Sequence, residues 1–140
     1  MKPKFSLLAR TAAVVAVALA AGCDSTPARQ PRHTQTVVLS PDQATPPVEI
    51  GLVSAVKVVL PGPDPASGLV WEITSNNTAV LEQMAPLAVE PGSAGAGPTT
   101  SASFYSLRPG KSILRFFLLR PSETEAIPAA KCEVIVRVSE

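Results

Sequence analysis

Histidine is all but missing from this chain. His33 is the only one in 140 residues, and it lies ahead of the part that reads as a folded domain. A His-centred metal or acid–base site therefore has no material, and a nucleophilic serine needs a base within hydrogen-bond reach. Lys111 and Lys131 sit in no recognisable Ser–Lys arrangement, so an enzyme is the weakest class, and no catalytic residue, metal or cofactor is expected. Asp64, Glu123 and Glu125 would cluster only by loop proximity, and a solvated rim explains them equally well. A large excess of charge of either sign is missing too. The first 22 residues hold three of the twelve basic groups and none of the eleven acidic ones, which leaves nine against eleven and a formal charge of −2 beyond them. Nothing there offers a basic patch for nucleic acid. Cysteine occurs only at Cys23 and Cys132. Long hydrophobic runs are absent, because Thr11 to Ala21 falls far short of the roughly 20 apolar residues that span a bilayer as a helix.

What stands at the N-terminus reads as a processed export signal. Lys2, Lys4 and Arg10 form a positive region ahead of that short Ala/Val stretch. Ala20-Ala21-Gly22-Cys23 resembles a bacterial lipoprotein cleavage box, in which small residues precede a Cys that is lipidated. Such boxes usually carry Leu three residues before the Cys, whereas Leu19 sits four before it. The alternative is an ordinary secretory signal with an incidental cysteine. The lipoprotein reading makes residues 1–22 a signal peptide, residues 23–34 a flexible tether rich in Pro, Ser, Thr and Gln, and residues 35–140 one domain. It places the protein outside the cytoplasm, lipid-anchored to the bacterial cell envelope. With Cys23 acylated, Cys132 has no internal disulfide partner. Its alternation in phase with Val134, Val136 and Val138 reads as a small buried hydrophobe.

No window beyond the signal keeps a 3.6-residue period. Period-two alternation predicts strands over Thr36–Ser40, Val48–Leu52, a run carrying Val56, Val58 and Leu60, Val70–Ser75, Ala79–Met84 and Leu87–Glu90. Three more follow, with Ala102, Phe104 and Ser106, then Leu114, Phe116 and Leu118, then Cys132 to Val138 on their inward faces. Ile113, Phe117, Leu119 and Ile135 fall on the outward phase, where they either cover the second face or signal a bulge. Pro- and Gly-rich tracts separate the runs, notably Pro61 to Pro65, Pro91 to Thr100 and Pro109-Gly110. Short strands with such turns predict an all-β, antiparallel, immunoglobulin-like β-sandwich without a disulfide, with Trp71, Phe104, Phe116 and Val136 in a common core.

Three of the turn tracts carry a resemblance. Asp64-Pro65-Ala66-Ser67-Gly68-Leu69, followed by Trp71, then Gly95-Ala96-Gly97, then Arg120-Pro121-Ser122-Glu123 resemble in order and spacing the three loops of the chagasin-like cysteine-protease inhibitors. The alternating Ala102, Phe104 and Ser106 before Pro109-Gly110, and Leu114, Phe116 and Leu118 before Arg120-Pro121, fit the same pattern, and the match spans roughly residues 48 to 138. The resemblance implies a monomeric binding protein whose loops wedge into the cleft of a papain-like cysteine protease. Two departures bear on activity: Ala66-Ser67 replaces a Thr-Thr pair, and Ser122 stands where the family places Trp. The competing reading is a non-inhibitory β-sandwich lipoprotein that binds another envelope protein or serves a structural role. Taken singly, each loop is also an ordinary sandwich turn, since Pro and Gly serve turns everywhere.

Overall fold

The structure, a computed structural model, describes residues 29–93, 95–122 and 127–140. The expected signal peptide, Cys23 and Glu123 lie outside the described residues. Among these described residues nine strands follow in chain order: β1 (His33–Val38), β2 (Val48–Gly51), β3 (Ser54–Pro61), β4 (Val70–Ser75), β5 (Leu81–Gln83), β6 (Ala88–Glu90), β7 (Thr99–Ser106), β8 (Gly110–Leu119) and β9 (Ala130–Ser139). They form two facing sheets. The first has the order β1-β3-β7-β5, with β6 also on β7; the second has the order β2-β9-β8-β4.

The expected alternation holds on the inner faces. Val56, Val58, Leu60, Ala102, Phe104, Leu114, Phe116, Val134 and Val136 are buried, and Trp71 joins the same core at 5% exposure. Phe104 and Phe116 meet edge-to-face across the sheets, with ring centroids 6.4 Å apart, the geometry that aromatic quadrupoles favour. Two serines stand at core positions and are satisfied there. Ser106 Oγ accepts from the Ser54 N–H at 3.0 Å, and Ser112 Oγ accepts from the Asn77 N–H at 2.9 Å. Cys132 is a free, buried thiol on this face. Burial first, and then the nearby Asp42 carboxylate, push its pKa up to about 11. Because the folded value is raised, this neutral thiol favours the fold below the ordinary cysteine range, and the contribution is lost as pH climbs towards 11.

The pairing is antiparallel except at two edges, where β1 runs parallel to β3 and β2 parallel to β9. Residues 39–47 cross from one sheet to the other between these strands. Neither strand is therefore held by a hairpin that would force the antiparallel sense. β1 also begins earlier than the alternation predicts. His33, Thr34, Gln35 and Thr36 lie on an edge with little to bury, so polarity conceals them. Arg29, further upstream, already pairs with Glu82 at 2.8 Å and stacks over the Tyr105 ring. The outward phase of Ile113, Phe117, Leu119 and Ile135 contains no β8–β9 bulge, since that register runs unbroken from Gly110↔Val138 to Leu118↔Ala130. Ile113 lies opposite Ile135, and the Lys131 ammonium sits 5.5 Å from the Phe117 ring centroid.

Candidate functional site

The strand register decides which loops meet. Pro61 at the end of β3 lies opposite Thr99 at the start of β7; Val70 at the start of β4 lies opposite Leu119 at the end of β8; and Leu118 lies opposite Ala130 at the start of β9. Loop 1 (62–69) and the described residues of loop 2 (91–93 and 95–98) and loop 3 (120–122 and 127–129) therefore share one end of the sandwich. Loop 1 passes from one sheet to the other between its two neighbours. His33 begins β1, opposite Ser54 at the start of β3, so the chain's only histidine is at the far end.

Loop 1 is held from within. Asp64 caps a 3-10 turn at Pro65–Ser67, its Oδ1 accepting from the Ala66 N–H at 3.0 Å. The Ser67 hydroxyl donates to the Asp64 carbonyl at 2.6 Å and accepts from the Leu69 N–H at 3.2 Å. Gly68 closes the turn at φ 68°, in the left-handed region where a side chain strains the backbone. Pro65, Ala66 and Gly68 form a small-residue exposed tip, with Ser67 and Leu69 half-buried. The stem is fixed by Trp71, whose indole Nε1–H donates to the Pro61 carbonyl at 2.8 Å.

Loops 2 and 3 lean on loop 1. The Gly62 N–H donates to the Pro98 carbonyl at 2.7 Å. A Cβ on Gly62 would stand 2.2 Å from that oxygen, so only glycine permits the approach. In loop 2, Gly95, Ala96 and Gly97 are all exposed, with Gly95 at φ 87° and the Ala96 N–H donating to the Ser93 carbonyl at 2.9 Å. At the foot of this loop the Ser101 hydroxyl and then the Lys57 ammonium hold the Glu90 carboxyl below its usual range. In loop 3, Arg120, Pro121 and Ser122 are exposed, and the Arg120 guanidinium donates to the Ser67 carbonyl at 3.4 Å. Ile127, past the undescribed 123–126, is 92% exposed. Its only sequence signal is an aliphatic residue set alone in a loop, and that of Gly62 is a glycine between two prolines.

The cysteine protease inhibitor EhICP2 from Entamoeba histolytica superposes with a TM-score of 0.61 at 16% identity, over 78% of this chain and 99% of that one. Amebosin gives 0.54 at 18% identity, over 78% and 99%. A third, PbICP-C, solved in complex with falcipain-2, gives 0.49 at 14% identity over 79% and 92%. No family model and no curated protein matches the sequence. The likeness is thus one of fold, and it extends over nearly the full length of EhICP2 and of amebosin.

Proposed function

We propose that this protein is a membrane-tethered inhibitor of papain-like cysteine proteases that inserts loops 1, 2 and 3 into the active-site cleft. The observation that carries the reading is the juxtaposition of the three loops at one end, with loop 1 fixed between the other two. A tip already held by the Asp64 and Ser67 hydrogen bonds has little freedom left to lose on docking. Its small residues, Ala66 and Gly68, bring main chain close to a catalytic thiol without filling the cleft with side chains. Pro65 and Gly68 keep the backbone in a turn, whereas a substrate has to lie extended across the scissile bond. Arg120 adds a planar guanidinium at the side of the tip, suited to carboxylates or aromatic faces on a protease.

Blocking the tip is the direct test. Gly68 has open space around the position of a Cβ, so Gly68→Trp tolerates the ring and costs the fold only about 1–2 kcal/mol of left-handed backbone strain. Inhibition of papain is expected to weaken at least about tenfold, which is some 1.4 kcal/mol. Unchanged inhibition in this variant means that the tip does not enter the cleft.

Anchoring belongs to the same reading. Cys23 stands ten residues before His33, a reach of at most about 35 Å when fully extended, and His33 lies at the end opposite the three loops. A lipid on Cys23 thus leaves the loop end facing away from the membrane. Cys23→Ala is expected to move the protein from the membrane to the soluble fraction, and membrane association that persists would rule the lipid out. The alternative of a non-inhibitory envelope-binding lipoprotein draws its support from Ser122, which leaves loop 3 without an aromatic residue at that place.

A further inference from the structure

Large apolar side chains that stay exposed gather at the loop end. Among the described residues they are Val38, Val70, Met84, Val89 and Ile127. Val70 begins β4, Val89 lies opposite Thr100 near the start of β7, Ile127 is in loop 3, and Val38 ends β1 opposite Val59. Of the five, Met84 alone stands elsewhere, its N–H bonded to Ser103 in mid-strand. Apolar residues gathered at one place on a surface mark a contact site. Val38 is the least expected of them. β1 sets Thr34, Thr36 and Val38 on its outward side, opposite Ala55, Lys57 and Val59. The two threonines suit an exposed edge, whereas Val38 is 69% exposed. It forms one wall of a groove of about 460 Å³, completed by Pro41, Val59, Pro61, Ala96 and Pro98. No charged side chain lines that groove.

We infer that this groove is a fourth contact of the inhibitory end, receiving an apolar side chain from the rim of the protease cleft. The inference rests on the inhibitor reading and adds to it Val38–Pro41, which belongs to none of the three loops. The occupant follows from continuity. Ala96 and Pro98 of loop 2 are walls of the groove, and so is Gly62 of loop 1, so a body that takes in those loops comes down over it. The loop tips themselves are small, with Ala66, Gly68, Gly95, Ala96 and Gly97; they bring main chain close but bury little apolar surface. The groove supplies that surface, and its volume is well above the roughly 150 Å³ that encloses a benzene ring. Its walls are also set in advance. The Leu39 N–H donates to the Val59 carbonyl at 2.9 Å, and the Gly62 N–H ties the opposite wall to Pro98. Docking therefore orders little that is not already ordered.

The test is the inhibition constant of the full chain against papain for the wild type, Val38→Thr, Val38→Glu and Thr36→Glu. Val38→Thr keeps the shape and exchanges a methyl for a hydroxyl, and should weaken inhibition about threefold. Val38→Glu puts a charge where the protease closes over it, and should weaken inhibition at least about tenfold. Thr36→Glu adds the same charge on the same side of β1 but outside the groove, and should stay within about twofold of wild type. Melting temperatures of all three variants should stay within a few degrees of wild type, because both positions are exposed. Inhibition by the wild type that Val38→Glu leaves unchanged overturns the groove and leaves the three loops standing. Equal weakening by Val38→Glu and Thr36→Glu overturns it as well, the effect then being one of charge at a distance. No inhibition by the wild type overturns the inhibitor reading and the groove with it. A wild-type dimer in sedimentation that Val38→Glu dissociates overturns it in favour of a second copy of this chain.

Discussion

Replacing Trp71 by Ala is expected to destabilise the domain by about 3–5 kcal/mol, the range for truncating a large aromatic in a packed core. Two effects combine. The ring is buried among the core residues of both sheets, so its removal leaves a cavity. Its indole N–H is also the group that satisfies the Pro61 carbonyl at the root of loop 1. Trp71→Phe separates the two, since it keeps most of the packing and loses the donor, for about 1 kcal/mol. Thermal unfolding checks both: Trp71→Ala should melt on the order of 15 °C lower, and Trp71→Phe only a few degrees lower. A Trp71→Ala melting point within two or three degrees of wild type would mean that Trp71 is no part of the core.

The second large effect is expected at Gly62. A methyl there meets the Pro98 main chain, with the carbonyl oxygen 2.2 Å and its carbon 2.5 Å from the added Cβ, and neither is a flexible group that can turn aside. Loops 1 and 2 must separate, and the 2.7 Å hydrogen bond between them is lost. Gly62→Ala should cost about 1–3 kcal/mol, as overpacking does, and should weaken protease inhibition at least about tenfold. Gly97→Ala is the control, because its Cβ meets nothing within 4 Å; its stability should stay within about 0.5 kcal/mol of wild type. Equal melting points for the two variants would contradict the proposed role of the Gly62–Pro98 approach.

How much of this was legible in the sequence depends on whether a residue's role is local. Val56, Phe104, Phe116 and Val136 announce their burial by alternation, because a strand with one dry face must repeat every second residue. Pro65, Gly68 and Pro109-Gly110 announce turns by their own dihedral limits. The polar start of β1 is hidden because an edge strand needs no hydrophobic code. The parallel sense of β1 and β2 is hidden because it depends on the path of residues 39–47 between the sheets. Gly62 was legible as a turn residue, but its approach to Pro98 joins segments 36 residues apart, and no local pattern records that. Likewise, Val38 reads as an ordinary strand residue until the parallel pairing of β1 sets it, exposed, beside loop 2. The three loops themselves were legible only in combination, by order and spacing. Their meeting at one end follows from the register of β3 with β7 and of β4 with β8.

Ser122 makes the central claim measurable in both directions. It is exposed in loop 3, beside the tip, at the place where the resemblance expects a tryptophan. An aromatic at an interface centre often carries about 2 kcal/mol or more, some 30-fold in affinity. The most direct measurement is the inhibition constant of the wild type and of Ser122→Trp against papain, determined side by side on well-folded protein. The account predicts measurable inhibition by the wild type and inhibition about 30-fold tighter by Ser122→Trp. No inhibition by either protein at high micromolar concentration would contradict it.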